Sequence, residues 1–162
     1  ASTNKLYTCA AALYYLKKDH QFETRILSNQ KNLILKGGGD PDLSIKELDS
    51  LALEISKKYK NIDTLFIDDG FLDSLNYGEG WMWDEGAWWY AAPISALSVN
   101  DNCIDFYIKP GPAGEAASID YYPKTSFITI KNESITVQDS VKKILKIDRD
   151  WVFNKNKFNE YG

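Results

Sequence analysis

Ser2 and Lys5 stand three residues apart in Ser2-Thr3-Asn4-Lys5, just ahead of the apolar run from Cys9 to Leu16. On a helix, positions i and i+3 share a face, so the Lys5 amine can reach the Ser2 hydroxyl. A serine beside an amine able to take its proton is the pair that acyl transfer through a serine ester requires. The lysine must first be desolvated, or set near another cation, to give up its own proton. The competing reading of the same tetrapeptide is the polar first turn of a buried helix.

A second constellation lies in Gly78-Glu79-Gly80-Trp81-Met82-Trp83-Asp84-Glu85-Gly86-Ala87-Trp88-Trp89. Four of the chain's five tryptophans fall within nine residues, with Asp84 and Glu85 among them. Such a stretch either pins a long loop with an aromatic cluster or offers ring faces to a ligand, Asp84 then holding a cationic group. Other motifs carry less chemistry. Lys36-Gly37-Gly38-Gly39-Asp40-Pro41-Asp42 lacks the Gly-Lys-Ser/Thr ending of a phosphate loop and reads as a strand-to-helix turn. The single histidine, His20, beside Asp19, reads as a solvated or C-capping residue. One histidine and two distant cysteines, Cys9 and Cys103, make no zinc site and point to free thiols. We expect neither metal nor cofactor. Asn132-Glu133-Ser134 fits a glycosylation sequon, which matters only in a secreted eukaryotic protein.

These residues must be positioned by a chain of 162 residues, long enough for a core and for one or two small domains. A net charge of −4, with bases scattered among acids, leaves no basic footprint for nucleic acid. The longest apolar run is too short to span a membrane. From Ser2 to about Lys18 the apolar positions Leu6, Cys9, Ala10, Leu13 and Leu16 fall at helical spacing, and apolar residues on the other faces predict a helix buried on most sides. Residues 22–28 and 33–36 predict short strands. Ser44-x-x-Glu47 is a capping box. The helix behind it carries Ile45, Leu48, Leu51, Ala52, Ile55 and Tyr59 on one face, with Lys57, Lys58 and Lys60 at its C-terminal end. Residues 64–69 complete a strand–helix–strand unit. After the aromatic loop of residues 70–93, strands are expected at 94–99, 103–109, 126–130 and 134–137. The fold class is α+β, divided as 1–21, an inserted α/β unit at 22–93, and a mainly β part at 94–162.

In their order, the stretches ASTNKLYTCAAALYYL, LKGGGDPDL, FIDDGFLD, GWMWDEGAWWYAAPISALSVNDN and YYPKTSFITIKN resemble the serine D-Ala-D-Ala carboxypeptidases and endopeptidases of the low-molecular-mass class C penicillin-binding proteins. The resemblance implies that residues 1–21 are the first helix of a penicillin-binding, transpeptidase-like catalytic domain and that the rest forms inserted accessory domains. It implies an acylated nucleophile at Ser2, a proton acceptor at Lys5, and a pocket for the diamino-acid side chain at Trp81, Asp84 and Trp89. Peptidoglycan peptides and β-lactams are the partners it implies, outside the cytoplasm in the cell envelope. Such enzymes also use Ser-x-Asn and Lys-Thr-Gly motifs. Ser98-Val99-Asn100 and Lys124-Thr125-Ser126 are only about 25 residues apart, too close for the intervening catalytic fold, and read as coincidences. The expectation is therefore a piece of such an enzyme, which by itself lacks the Ser-x-Asn and Lys-Thr-Gly motifs, is inactive, and is acylated poorly or not at all. The alternatives are a non-catalytic module binding cell-wall peptide or glycan, and a complete miniature acyl-serine enzyme.

Overall fold

The computed structural model describes residues 2–29, 31–82, 85–138, 145–150 and 157–161. Helix α1 runs Asn4–Tyr15, shorter at both ends than the spacing predicts, and buries none of its residues. Leu6, Tyr7, Leu13, Tyr14 and Tyr15 are all exposed, contrary to the expected burial. Thr3, at its N-cap, makes no side-chain cap bond. Its other end stops at Leu16, followed by Lys17 at φ 70°. Lys17 Nζ donates to the Tyr14 carbonyl, a terminal contact that His20 does not make; the His20 ring instead meets Phe22 edge-on at 5.2 Å.

Strands β1 (Arg25–Ser28), β2 (Asn32–Lys36) and β3 (Thr64–Asp68) form one sheet in the order β1-β2-β3. The β1–β2 pair is antiparallel, whereas β2 and β3 run parallel in register Ile34↔Phe66, as a strand–helix–strand crossover requires. The crossover is helix α2, Ile45–Lys58, and its capping box is complete. Ser44 Oγ accepts from Glu47 N–H at 3.2 Å, and the Glu47 carboxylate accepts from Ser44 N–H at 2.8 Å. The Ser44 N–H and the Ser44 Oγ, both donating to the Glu47 carboxylate at 2.8 Å, hold the Glu47 carboxyl below its ordinary range. Ile45, Leu48, Leu51, Ile55 and Tyr59 are the partly buried positions, so the predicted face is the inward one, Ala52 excepted. In the central strand Leu33 and Leu35 are buried; on the edge strand Leu65, Phe66 and Ile67 remain exposed.

The second half contains the antiparallel pair β4 (Asp105–Lys109) and β5 (Ser118–Tyr122) and a sheet of β6 (Thr129–Glu133), β7 (Lys146–Arg149) and β8 (Lys157–Tyr161) in the order β6-β8-β7. Phe106 meets Phe158 edge-on at 5.2 Å, joining the two layers. Three expectations need correction. Residues 94–99 form no strand but an irregular segment with a single bridge, Asp40↔Leu97, because their polar groups bond to the glycine turn and to each other. Residues 134–137 are also outside any strand: Ser134 is buried, with its Oγ donating to Asn132 Oδ1 and accepting from Ala117 N–H. Strand β6 starts three residues later than expected, and β5 escaped the pattern altogether, its Ser-Ile-Asp-Tyr-Tyr alternation being interrupted by tyrosines on both faces.

Candidate functional site

Ser2 and Lys5 occupy the first turn of the α1 region, where Lys5 N–H donates to the Ser2 carbonyl at 3.1 Å. Both side chains are exposed, and among the described residues no hydrogen bond joins the hydroxyl to the amine. The turn thus holds both residues at the exposed head of the helix without enclosing them.

The aromatic loop is held differently. Its two ends meet where Ile94 N–H donates to the Asn76 carbonyl at 2.8 Å and Asn76 Nδ2 donates to the Ile94 carbonyl at 3.1 Å. The neighbouring carbonyl, that of Pro93, accepts from Asn102 Nδ2 at 2.9 Å, and the same amide reaches Ser98 Oγ at 3.0 Å. Beneath this junction runs the glycine turn. Gly39 N–H donates to the Ala96 carbonyl at 2.8 Å, and a Cβ at Gly37 would come within 2.2 Å of that oxygen. Only glycine allows such an approach. Ala96 is 2% exposed, the tightest point of this junction.

Residues Asn100, Asp101 and Asn102 take φ of 50°, 57° and 55°, a left-handed turn that asparagine and aspartate tolerate better than other side chains. Asn100 N–H donates to the Leu43 carbonyl at 3.0 Å, and Asn100 Oδ1 accepts from Ile45 N–H at 3.1 Å, a second cap on α2 beside Ser44. Segment 94–102 is therefore bonded to the turn and helix that follow β2.

Trp81 lies on the descending leg, 39% exposed, its indole against Gly78 and its ring edge-on to Tyr77 at 6.0 Å. Trp89, 75% exposed, stands on the returning leg, with Tyr90 edge-on at 6.0 Å. No ring contact joins Trp81 to Trp89 among the described residues. Asp84 lies outside the described residues, as does Trp83. Trp89 does border a cleft of about 440 Å³ together with Asp42, Asp101, Cys103 and Asp105. Asp42, Asp101 and Asp105 thus put three acidic residues on the lining of the cleft that Trp89 borders. Partial burial pushes the Cys103 thiol up, and Asp101 and Asp105 add to the shift. Cys9 and Cys103 are both free thiols.

The two motif look-alikes have other work. Ser98 Oγ donates to the Ser95 carbonyl and Asn100 caps α2, while Lys124 pairs with Asp120 and lies 4.4 Å from the Tyr121 ring centroid. Sequence reasoning missed Asn76 and Asn102. The visible signal was the Asn-Asp-Asn run, since three such residues together favour a left-handed turn.

Residues 1–161 match the D-Ala-D-Ala carboxypeptidase 3 (S13) family, and the chain belongs to it. Its relatives narrow the comparison. The D-alanyl-D-alanine carboxypeptidase of Actinomadura sp. strain R39 is 30% identical over 165 residues, covering 92% of this chain and 31% of that protein. The D-alanyl-D-alanine carboxypeptidase DacB of Haemophilus influenzae is 37% identical over 114 residues, covering 64% of this chain and 24% of its own length. The crystal structure of penicillin binding protein 4 from H. influenzae superposes with a TM-score of 0.80 at 28% identity, over 100% of this chain and 38% of that one. A second structure of that protein, complexed with a β-lactam, gives a TM-score of 0.66 at 25% identity, over 100% of this chain and 35% of that one. The chain thus spans less than a third of the length of these two curated relatives.

Proposed function

We propose that this chain is part of a serine D-Ala-D-Ala carboxypeptidase or endopeptidase acting on peptidoglycan peptides in the cell envelope, outside the cytoplasm. The observation that carries the reading is the family match along residues 1–161, with Ser2-Thr3-Asn4-Lys5 at the head of a helix. In this reading Ser2 Oγ attacks the carbonyl of the penultimate D-Ala while the Lys5 amine takes the hydroxyl proton. The peptide C–N bond breaks, the terminal D-Ala leaves as an amine carrying that proton, and water hydrolyses the serine ester. A β-lactam is opened by the same attack and stays as a slowly hydrolysed ester. Trp81 and Trp89 wall the pocket for the diamino-acid side chain, and Asp84 pairs with its ammonium group. The organisation that goes with it is 1–21, 22–93 and 94–162, with segment 94–102 bonded back onto the first insert.

With Ser2 and Lys5 in solvent, little in this chain preorganises a tetrahedral intermediate, and acylation should be slow. Intact-mass spectrometry after prolonged incubation with excess benzylpenicillin tests this. At most a substoichiometric adduct on Ser2, absent in Ser2→Ala, is expected. An adduct that survives Ser2→Ala removes Ser2 from the role; no adduct on the folded chain is the result an incomplete enzyme gives, and a stoichiometric adduct on Ser2 overturns the reading of the chain as a piece. The hydrogen-bonded ends of the aromatic loop favour a second reading, in which this chain binds cell-wall peptide without chemistry. It predicts saturable muropeptide binding weakened by Trp81→Ala and unchanged by Ser2→Ala.

A further inference from the structure

We infer that Asn76 and Asn102 are positioning residues: their two side-chain amides grip the consecutive carbonyls of Ile94 and Pro93, closing the loop that carries Trp81 and Trp89 and fixing where those rings stand. The inference rests on the reading of these tryptophans as ligand walls, and deepens it.

Pro93 has no N–H to give, so the loop's return can be tied only through its carbonyl and through the following residue. Both are used. Asn102 Nδ2 holds the Pro93 carbonyl at 2.9 Å, and Asn76 holds Ile94 at both ends, its Nδ2 to the Ile94 carbonyl at 3.1 Å and its own carbonyl to the Ile94 N–H at 2.8 Å. Each asparagine also lies next to the seat of one tryptophan. Asn76 precedes Tyr77, whose ring meets Trp81, and the Trp81 indole packs on Gly78. Asn102 precedes Cys103, which borders the same cleft as Trp89 and whose Sγ lies 3.9 Å from the Trp89 carbonyl.

The grip is anchored on helix α2. Asn102 sits in the left-handed turn whose first residue, Asn100, caps α2 through Ile45 N–H. A ring mounted on such a frame is ready to receive a ligand group without being ordered at the time of binding, which lowers the cost of binding. Loss of the clamps should therefore weaken binding while the sheet beneath is kept.

The test uses this chain labelled with 5-fluorotryptophan, its 19F resonances assigned by single Trp→Phe variants, and a stem pentapeptide with a free diamino-acid ammonium group as probe. Asn76→Asp combined with Asn102→Asp is isosteric but replaces each donor by an oxygen facing a carbonyl. The expected result is movement of the Trp81 and Trp89 resonances toward the shift of free fluorotryptophan, with the methyl shifts of Leu33 and Leu35 unchanged and peptide affinity about tenfold weaker. Tryptophan resonances that stay in place, or that move only together with Leu33 and Leu35, overturn the positioning role. Absence of peptide binding by the parent chain, with the resonances still displaced in the variant, removes the ligand-wall reading and leaves the loop closure standing. If the double variant loses the parent's far-UV circular dichroism, Asn76→Ala decides by the same resonances, since it keeps the Ile94 N–H to residue 76 carbonyl bond.

Discussion

Helix α1 and the aromatic loop both carry residues whose types suggest chemistry, yet they are supported in opposite ways. The helix is regular and exposed on every side; the loop is irregular and tied down at both ends. Regular secondary structure satisfies most of its own backbone groups within the element, so a helix needs no neighbour for its hydrogen bonds, although one this short needs packing to be stable. A loop has no such internal ladder, and its carbonyls and N–H groups must find partners elsewhere. Here asparagines supply them. The consequence is that the aromatic loop is more nearly preformed than the exposed turn that carries Ser2 and Lys5.

The sharpest way to break this contrast is Gly37→Ala. A methyl group 2.2 Å from the Ala96 carbonyl forces the glycine turn and the loop's base apart. A loss of about 3 kcal/mol in chemical denaturation is expected; a loss below about 0.5 kcal/mol would mean that the turn does not seat the loop.

Glu160 on β8 gives the opposite case from the satisfied asparagines. It is 2% exposed, and among the described residues neither carboxylate oxygen has a hydrogen-bond partner. Glu160→Leu should raise stability by about 2 kcal/mol at neutral pH, because an unmet polar group is removed from the interior. Burial pushes the Glu160 carboxyl above its ordinary value of 4.5. The folded state therefore holds its proton more tightly than the unfolded chain does. Stability from this group is complete below pH 4.5 and declines as pH rises through the folded-state value. Thermal melts of Glu160→Gln across that window should lack this decline; an unchanged profile would show that Glu160 is not its source.

Ser44→Ala tests the shared anchor at a smaller scale. It removes one of two caps on α2, the Asn100 cap remaining, and about 1 kcal/mol should be lost. The smallest effect belongs to α1. Leu13→Ala should change global stability by less than about 0.5 kcal/mol, since Leu13 is exposed. A loss typical of a core leucine would show that α1 packs on the sheet in solution and would erase the contrast.

How much of this was legible in the sequence follows from which interactions are local. The capping box, the Ile45–Tyr59 face and the glycine turn are written within a few residues, and the structure reproduces them. Residues 94–99 mimic a strand because alternation is visible in sequence, whereas the bonds that win, Gly39 to Ala96 and Asn102 to Pro93 and Ser98, join groups whose meeting depends on tertiary folding or side-chain geometry. The Ser2 and Lys5 spacing was legible and their exposure was not, because periodicity says which face is apolar but not whether anything covers it. The asparagine clamps were invisible for the same reason: Asn76 and Ile94 are 18 residues apart.

Hydrogen–deuterium exchange read by mass spectrometry tests the central contrast most directly. A 12-residue helix with no buried side chain is marginal in water, so residues 4–15 should exchange fully at the earliest time points. Peptides covering 37–45 and 94–102 should exchange slowly, protected by the Gly39, Asn100 and Ile94 bonds. Slow exchange in 4–15 together with rapid exchange in 94–102 would contradict the account.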